Sequence, residues 1–279
     1  MKHYLSIGAT YRNQAEYIRE WIEFHRIVGV DHFYLYDNES EDDHREALAP
    51  YVSDGIVTVH DWPGPFPEVQ IKAFDHCLAE HGDESRWIAF IDTDEFLFSP
   101  TGAVLPEVLA EYEGQAGVGV NWTSFGTSGH KTKPSGLIIE SYVHRRNDSR
   151  NSNRFIKSIV DPKLVESAGH HSHFFFYRDG RLAVTENMEP IEGPRFSITE
   201  TVSYSKLRIN HYVSKSEEEY RQRVFVKHDR EKVAASKPRS WEVFKERLEM
   251  LNEHHDDTIT RWAPAVREAL RKVEDQARA

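Results

Sequence analysis

The chain has 279 residues, of which 39% are hydrophobic, 12% aromatic and 29% charged, enough for a sizeable core and unlike collagen, coiled-coil, toxin-like or disordered sequences. The apolar run at residues 87–91 is five long, against the about 18–20 residues a membrane helix needs, so no membrane span is expected. The net charge of −11 is uneven, with 20 acidic against 7 basic residues over 1–99, and such a field repels a phosphate backbone, which argues against nucleic acid as a partner.

In chain order, residues 4–9 form a short apolar run. Asn13 with Glu16 three residues later is a capping-box pattern for a helix in which Tyr17, Ile18, Trp21, Ile22, His25 and Val28 recur at helical spacing up to Gly29. Residues 32–36 and 56–60 read as strands, 67–81 as a helix stopped by Gly82, and 86–91 as a buried strand ending at Asp92. Strands and helices alternating over short connections predict a parallel sheet covered on both faces, with ligands beyond the carboxyl ends of its strands. Further on, residues 103–112 read as helical and 118–122 as a strand, while the amphipathic stretch 134–146 fits either type and 147–153 is loop-like. Residues 155–160, 173–178, 181–185 and 204–213 predict a β-rich second half. From Ser216 onward the pattern is helical and polar, with breaks at Pro238 and Pro264.

A single cysteine, Cys77, leaves no internal disulfide and suits a reducing compartment, and the N-terminus has no apolar stretch long enough for a secretory signal. The expectation is a cytoplasmic protein, at most peripheral to a membrane.

The most informative segment is Phe90-Ile91-Asp92-Thr93-Asp94-Glu95-Phe96. Two aspartates two apart, just beyond a buried strand, place hard carboxylate oxygens where an α/β sheet puts its ligand. They suit Mg²⁺ or Mn²⁺, and such a cation can bridge to a diphosphate that the acidic half would otherwise repel. The competing reading is a solvated acidic turn or helix cap. A second strand end, Tyr36-Asp37-Asn38-Glu39-Ser40, can bond a base edge or ribose hydroxyl, or be an ordinary turn. A third, Thr10-Tyr11-Arg12-Asn13, leads into a helix whose N-terminus attracts anions.

Several segments in this order resemble the family-2-like glycosyltransferases related to glycosyltransferase family 92, which have the GT-A fold. They are Arg12-Asn13, Glu20-Trp21-Ile22-Glu23-Phe24-His25, Gly29-Val30-Asp31-His32-Phe33, Tyr36-Asp37-Asn38 with Ser40, and the strand running into Asp92-Thr93-Asp94. Phe125-Gly126 with Ser128-Gly129-His130, Lys157, and Asn210-His211-Tyr212 complete the set. The chain departs from the usual Lys-Asn-Glu of relatives at Arg12-Asn13-Gln14. The resemblance implies an α/β GT-A domain, a mixed sheet flanked by helices, over residues 1–225, with a helical C-terminal extension over 226–279. It further implies a Mn²⁺- or Mg²⁺-dependent, inverting transferase using a nucleotide-sugar donor, a UDP-sugar, and a glycan, polysaccharide or lipid-linked acceptor.

Mapped onto this chain, the resemblance makes Asp94 the direct metal ligand, Asp92 shared between ribose and metal, and His211 a metal or diphosphate contact. Asp37 would hold the nucleoside, with Thr10, Arg12, Asn13, Asn38 and Thr93 in the same donor pocket and Gln70 and Lys72 at the start of the helix facing the cleft. Glu140, a charge in an apolar segment, is the expected catalytic base, with His171 and His173 as rivals. His170, His171 and His173 also resemble a zinc cluster, but on one extended run they point to alternate sides.

Trp122 and Phe125, with Trp62, offer aromatic faces for a sugar-stacking acceptor wall, and His171 lies on the acceptor side, although such aromatics also serve as core. The basic run His144, Arg145, Arg146, Arg150, Arg154 and Lys157 suits an anionic acceptor or a solvated loop. The rival readings are a metal-dependent nucleotidyltransferase or phosphohydrolase, and a non-catalytic carbohydrate- or nucleotide-binding module.

Overall fold

In the computed structural model, which describes residues 1–192, 197–230 and 241–278, one mixed eight-stranded sheet has the order β3-β2-β1-β4-β8-β6-β11-β5. The first four strands are β1 (His3–Tyr11), β2 (His32–Asp37), β3 (Val57–Asp61) and β4 (Ser85–Phe90). They run parallel, joined through α1 (Ile18–Ile27), α2 (His44–Ser53) and α3 (Glu68–His81). Side chains on these strands alternate between two cores. Phe33, Leu35, Trp87 and Ala89 join the larger cluster with α1, while Tyr34, Tyr36, Ile88 and Phe90 face Phe74 and Cys77 of α3. Both faces are buried, which is why these strands read as continuous apolar runs.

The other half of the sheet reverses direction. After β5 (Glu95–Phe98) and α4 (Leu105–Leu109), β6 (Gly117–Ser124) leads to the short α5 (Ile138–Ser141) and β7 (His144–Arg145). Strand β8 (Ile156–Val160) lies antiparallel between β4 and β6, and β11 (Arg208–His211) runs parallel to β6 and antiparallel to the edge strand β5. A hairpin-like pair, β9 (Val165–Ala168) and β10 (Phe175–Tyr177), packs on α3. The C-terminal elements are α6 (Glu217–Arg230), α7 (Trp241–Glu249), β12 (His254–His255), paired with β7, and α8 (Ala263–Arg278). Helix α8 packs on α1 and places Ala263, Val266 and Val273 in the main core.

Several local expectations differ from the structure. The Asn13/Glu16 capping box does not form: Asn13 sits at φ 52° and its side-chain oxygen accepts from the amide of Glu41, while α1 starts only at Ile18 with no side-chain cap. Residues 181–185 form no strand and contribute only isolated bridges at Val184. The stretch 134–146 holds both types: α5, whose first amides, of Ile138 and Ile139, donate to the two Glu20 carboxylate oxygens of α1 at 2.9 and 3.1 Å, and then β7. Pro264 opens α8 rather than breaking it, as the first turn of a helix tolerates proline, and Pro238 lies outside the described residues. Gly29 does end α1, at φ 106°, and a Cβ there would stand 2.4 Å from Pro106.

Candidate active site

The carboxyl ends of β1, β2, β4, β6 and β11 and the start of β8 meet along one edge of the sheet, and that edge collects most of the chemistry-bearing residues. The turn after β4 carries Asp92 and Asp94. Asp92 accepts from Gln70 of α3 at 2.7 Å and from Lys157 of β8 at 2.8 Å, so both its oxygens are engaged. Asp94 stands 3.4 Å from His211 Nε2 at the end of β11 and accepts from Arg223 of α6 at 2.9 Å. Glu95, fully buried, lies 3.5 Å from Lys157 and 3.8 Å from His211, and accepts from the Asp92 amide at 2.8 Å.

These groups set one another's protonation. Burial opposes ionisation of Asp94, but His211 and Arg223 overcome it and hold the carboxyl well below the usual range. Burial likewise works against charge on Asp92, where Lys157 wins and keeps the carboxyl low. Lys157 is itself buried, yet Asp92 and Glu95 raise it above an ordinary lysine. Glu95 has the weaker support and burial pushes it up to about 7. His211 is raised despite burial because it faces Asp94.

On the other side of the edge, Asp37 is buried and accepts from the Ser40 amide at 3.1 Å, with His44 at 3.5 Å. Arg12 pairs with Glu41 at 3.1 Å, the Asn13 amide donates to Ser40 Oγ at 2.9 Å, and Thr10 lies at the same strand end, beside Tyr36. Asn38 spends its amide donors on the carbonyls of Trp62 and Gly64, at 3.2 and 3.0 Å. Thr93 is buried between the two aspartates.

Not every expected residue arrives here. Lys72 is exposed and faces Glu68 at 3.9 Å, one turn away on its own helix rather than in the cleft. Glu140 is tied to Arg267 of α8 at 2.5 Å and touches none of the Asp92–Asp94 groups, because α5 is docked by Glu20 against α1. Phe125 is fully buried, 5.0 Å from Tyr212 ring to ring, and is core rather than an acceptor wall. Trp62 sits by β3, five strands from Trp122. Trp122 is at the site, packed edge-on against His211 at 5.9 Å and near His173 at 4.9 Å. His171 is exposed, with its ring 5.3 Å from His173. Burial, with Lys157 nearby, lowers His173 to about 3. Among the described residues no three His, Cys, Asp or Glu side chains converge as a metal cage, which includes the 170–173 histidines.

Three residues of the cluster had no assigned role in the sequence: Glu95, Arg223 and Lys215. Glu95 follows Asp94 directly, and the Asp-Thr-Asp-Glu run was its available signal. Arg223 and Lys215 come from the segment after β11, where nothing local marks them. Lys215, at φ 53°, lies over the Tyr17 ring at 3.5 Å, and burial lowers it to about 8.

The model of glycosyltransferase family 92 matches residues 5–264. The chain belongs to glycosyltransferase family 92. A family 92 protein of Arabidopsis thaliana is 29% identical over 217 residues, 72% of this chain and 36% of that protein. A galactan beta-1,4-galactosyltransferase of the same plant is 32% identical over 121 residues, 39% of this chain and 23% of its own length. A beta-1,4-galactosyltransferase of Caenorhabditis elegans is 26% identical over 167 residues, 56% of this chain and 38% of that protein. This family 92 chain spans 30–38% of the length of the first curated relatives it matches. Among solved structures, S. aureus TarS 1–349 aligns at 14% identity and a TM-score of 0.37, over 59% of this chain and 48% of that one. Among the described residues no helix is long and apolar enough to cross a membrane.

Proposed function

We propose that this family 92 domain transfers a sugar from a UDP-sugar to a hydroxyl of a glycan or polysaccharide acceptor, with inversion at the anomeric carbon, using Mn²⁺ or Mg²⁺. The observation that carries the reading is the Asp94–His211 pair, 3.4 Å apart at the carboxyl ends of the strands, with Lys157 and Arg223 beside it. A carboxylate oxygen and an imidazole nitrogen form a donor set that Mn²⁺ accepts, and the buried Nδ1 of His211 and Oε1 of Glu95 have no hydrogen-bond partner. With no three-ligand cage among the described residues, a cation held by Asp94 and His211 would draw its other ligands from a diphosphate and water. Bound there, the metal would neutralise charge on the departing diphosphate.

The chain's own groups supply the rest. Gln70 and Lys157 fix Asp92 from two sides, so its carboxylate orientation is set before donor binds. Arg223 and Lys215 add cations suited to phosphate oxygens, and the guanidinium offers paired N–H donors. Asp37 with Thr10, Arg12, Asn13, Asn38 and Thr93 forms the nucleoside side. Inversion is supported by relatives named as beta-1,4-galactosyltransferases, since a β-linked product from an α-linked nucleotide sugar requires it. In that step the acceptor oxygen bonds the anomeric carbon as the bond to the diphosphate breaks, and the hydroxyl proton passes to a base. Glu140, tied to Arg267, is left outside this site.

The test is thermal stabilisation by UDP, GDP, CMP and TDP, each with and without Mn²⁺, on wild type and Asp94→Asn. A ligand specific to the folded state stabilises it by about 2.7 kcal/mol at a hundredfold excess over Kd. A UDP shift that needs Mn²⁺ and disappears in Asp94→Asn is expected. The absence of any metal-dependent shift would overturn the reading.

A further inference from the structure

A cavity of about 410 Å³ opens on the same edge of the sheet as the aspartates, within the range of about 300–1,000 Å³ common to small-ligand pockets. Asp148, Arg150, Asn151, Arg154, Glu200 and Tyr204 line it. Two links tie it to the cluster. Arg154 ends the turn that enters β8, whose Lys157 holds Asp92. The Tyr204 hydroxyl donates to the Trp122 carbonyl at 3.1 Å, and the Trp122 indole stands 5.9 Å from the His211 ring.

The charge of the lining argues for the kind of ligand. Two carboxylates face two guanidiniums, so no net positive field is present to hold a phosphate or uronate. Much of the basic run that suits an anionic acceptor is already neutralised. Arg145 is bonded to Asp148 and Asp256, Arg150 to Glu253, and Lys157 to Asp92. What stays open is uncharged-ligand chemistry. The side chains of Glu200 and Asn151 have no partner among the described residues, and Arg154 uses only its Nε, on the Thr199 carbonyl at 2.6 Å. A carboxylate accepting from one hydroxyl, an amide and guanidinium donating to its neighbours, and a phenol ring alongside match the alternating hydroxyls and C–H face of a sugar.

We propose that this cavity is a second carbohydrate subsite, which takes an uncharged sugar unit of the acceptor beyond the one whose hydroxyl reacts. It rests on the transferase reading above and narrows it: the acceptor is a neutral oligosaccharide or polysaccharide rather than a monosaccharide or an acidic chain.

The experiment is binding of the full chain, without nucleotide, to a glycan array carrying neutral hexose oligosaccharides and matched chains bearing uronic acid or phosphate. Wild type is compared with Glu200→Ala, which removes the open carboxylate, and Thr201→Trp, which fills the cavity; both positions are exposed, so folding is retained. Neutral oligosaccharides bind wild type and Asp94→Asn alike, and each cavity variant weakens binding by about tenfold, the equivalent of one lost charged hydrogen bond. Binding of no neutral oligosaccharide, preference for the acidic chains, or unchanged binding in both cavity variants overturns the proposal. Failure of the donor reading shows elsewhere, as a missing metal-dependent nucleotide shift with array binding intact.

Discussion

Around Asp37 the loops 10–13 and 37–42 are stitched together by short, partly exposed hydrogen bonds: Asn13 to Ser40 and Glu41, the Ala15 amide to Asp42, Arg12 to Glu41. Around Asp94 the bonds join charges from distant segments, with the buried Lys157 reaching Asp92 across 65 residues and the half-exposed Arg223 reaching Asp94 across 129. The first region can replace a lost partner with water. At Lys157 and Glu95 the second cannot, because a charge stripped of its partner there stays desolvated. The Asp37 region, where we propose the nucleoside binds, is therefore tolerant and the Lys157–Glu95 side of the Asp94 region is not, and each of the following measurements tests that contrast.

The largest effect is expected at Lys157, where Lys157→Met strands Asp92 and Glu95. Denaturant titration should show a loss of about 3–5 kcal/mol, as for other broken buried pairs. A loss below 1 kcal/mol, the scale of an exposed pair, would mean that water reaches this cluster and the contrast fails.

Next comes Asp94→Asn, which keeps the side-chain shape and removes the charge facing His211 and Arg223. Turnover should fall on the order of 10²–10³-fold, the scale of a lost electrostatic group in a transition state. Steady-state kinetics with saturating donor would read it, and a loss confined to KM would point to binding alone.

Between the helix and sheet, His25 of α1 is fully buried, its Nε2 accepting from the Leu97 amide of β5 at 3.1 Å while Nδ1 bonds the Trp21 carbonyl. Burial lowers its pKa from 6.5 to about 3. Above pH 6.5 the imidazole is neutral in the folded and unfolded chain alike. As pH falls from 6.5 toward 3 only the unfolded chain takes up the proton, so this contribution to stability is lost through that window at up to about 1.4 kcal/mol per pH unit. His25→Gln should flatten the acid side of the stability profile measured by denaturant midpoints. An unchanged slope would show that His25 is not the titrating group.

Smaller changes belong to the exposed pairs. Glu140→Gln, which loosens one contact with Arg267, should alter turnover by less than about tenfold; a collapse as deep as that of Asp94→Asn would return Glu140 to the role of base. Smallest of all, Arg12→Ala removes a partly exposed pair with Glu41 and should cost no more than about 1 kcal/mol in thermal unfolding.

Much of the parallel half was readable because strands buried on both faces leave apolar runs with polar ends, and β1 to β4 fall close to the expected positions. Strand β5 was not, since it begins at Glu95 inside the acidic turn and has only four residues. Helix α2 was also missed, its apolar spacing interrupted by Pro50 near its C-terminal end. Trp62 and Phe125, expected beside Trp122 in an acceptor wall, misled for a shared reason. Residue type shows what a side chain can do, while its face and depth come from packing that periodicity does not record.

By itself, then, the sequence determined the acidic strand ends and the positions along the chain of the parallel strands. These are properties of short segments, where side-chain period and turn chemistry act over a few residues. Only the tertiary structure decided that Asp92 answers to Lys157, that Asp94 answers to His211 and Arg223, and that Glu140 answers to Arg267. Those pairings join segments far apart in the chain that only the folded structure brings within reach, and at Lys157 burial makes the opposite charge a requirement, whereas the Glu140–Arg267 pair is partly exposed.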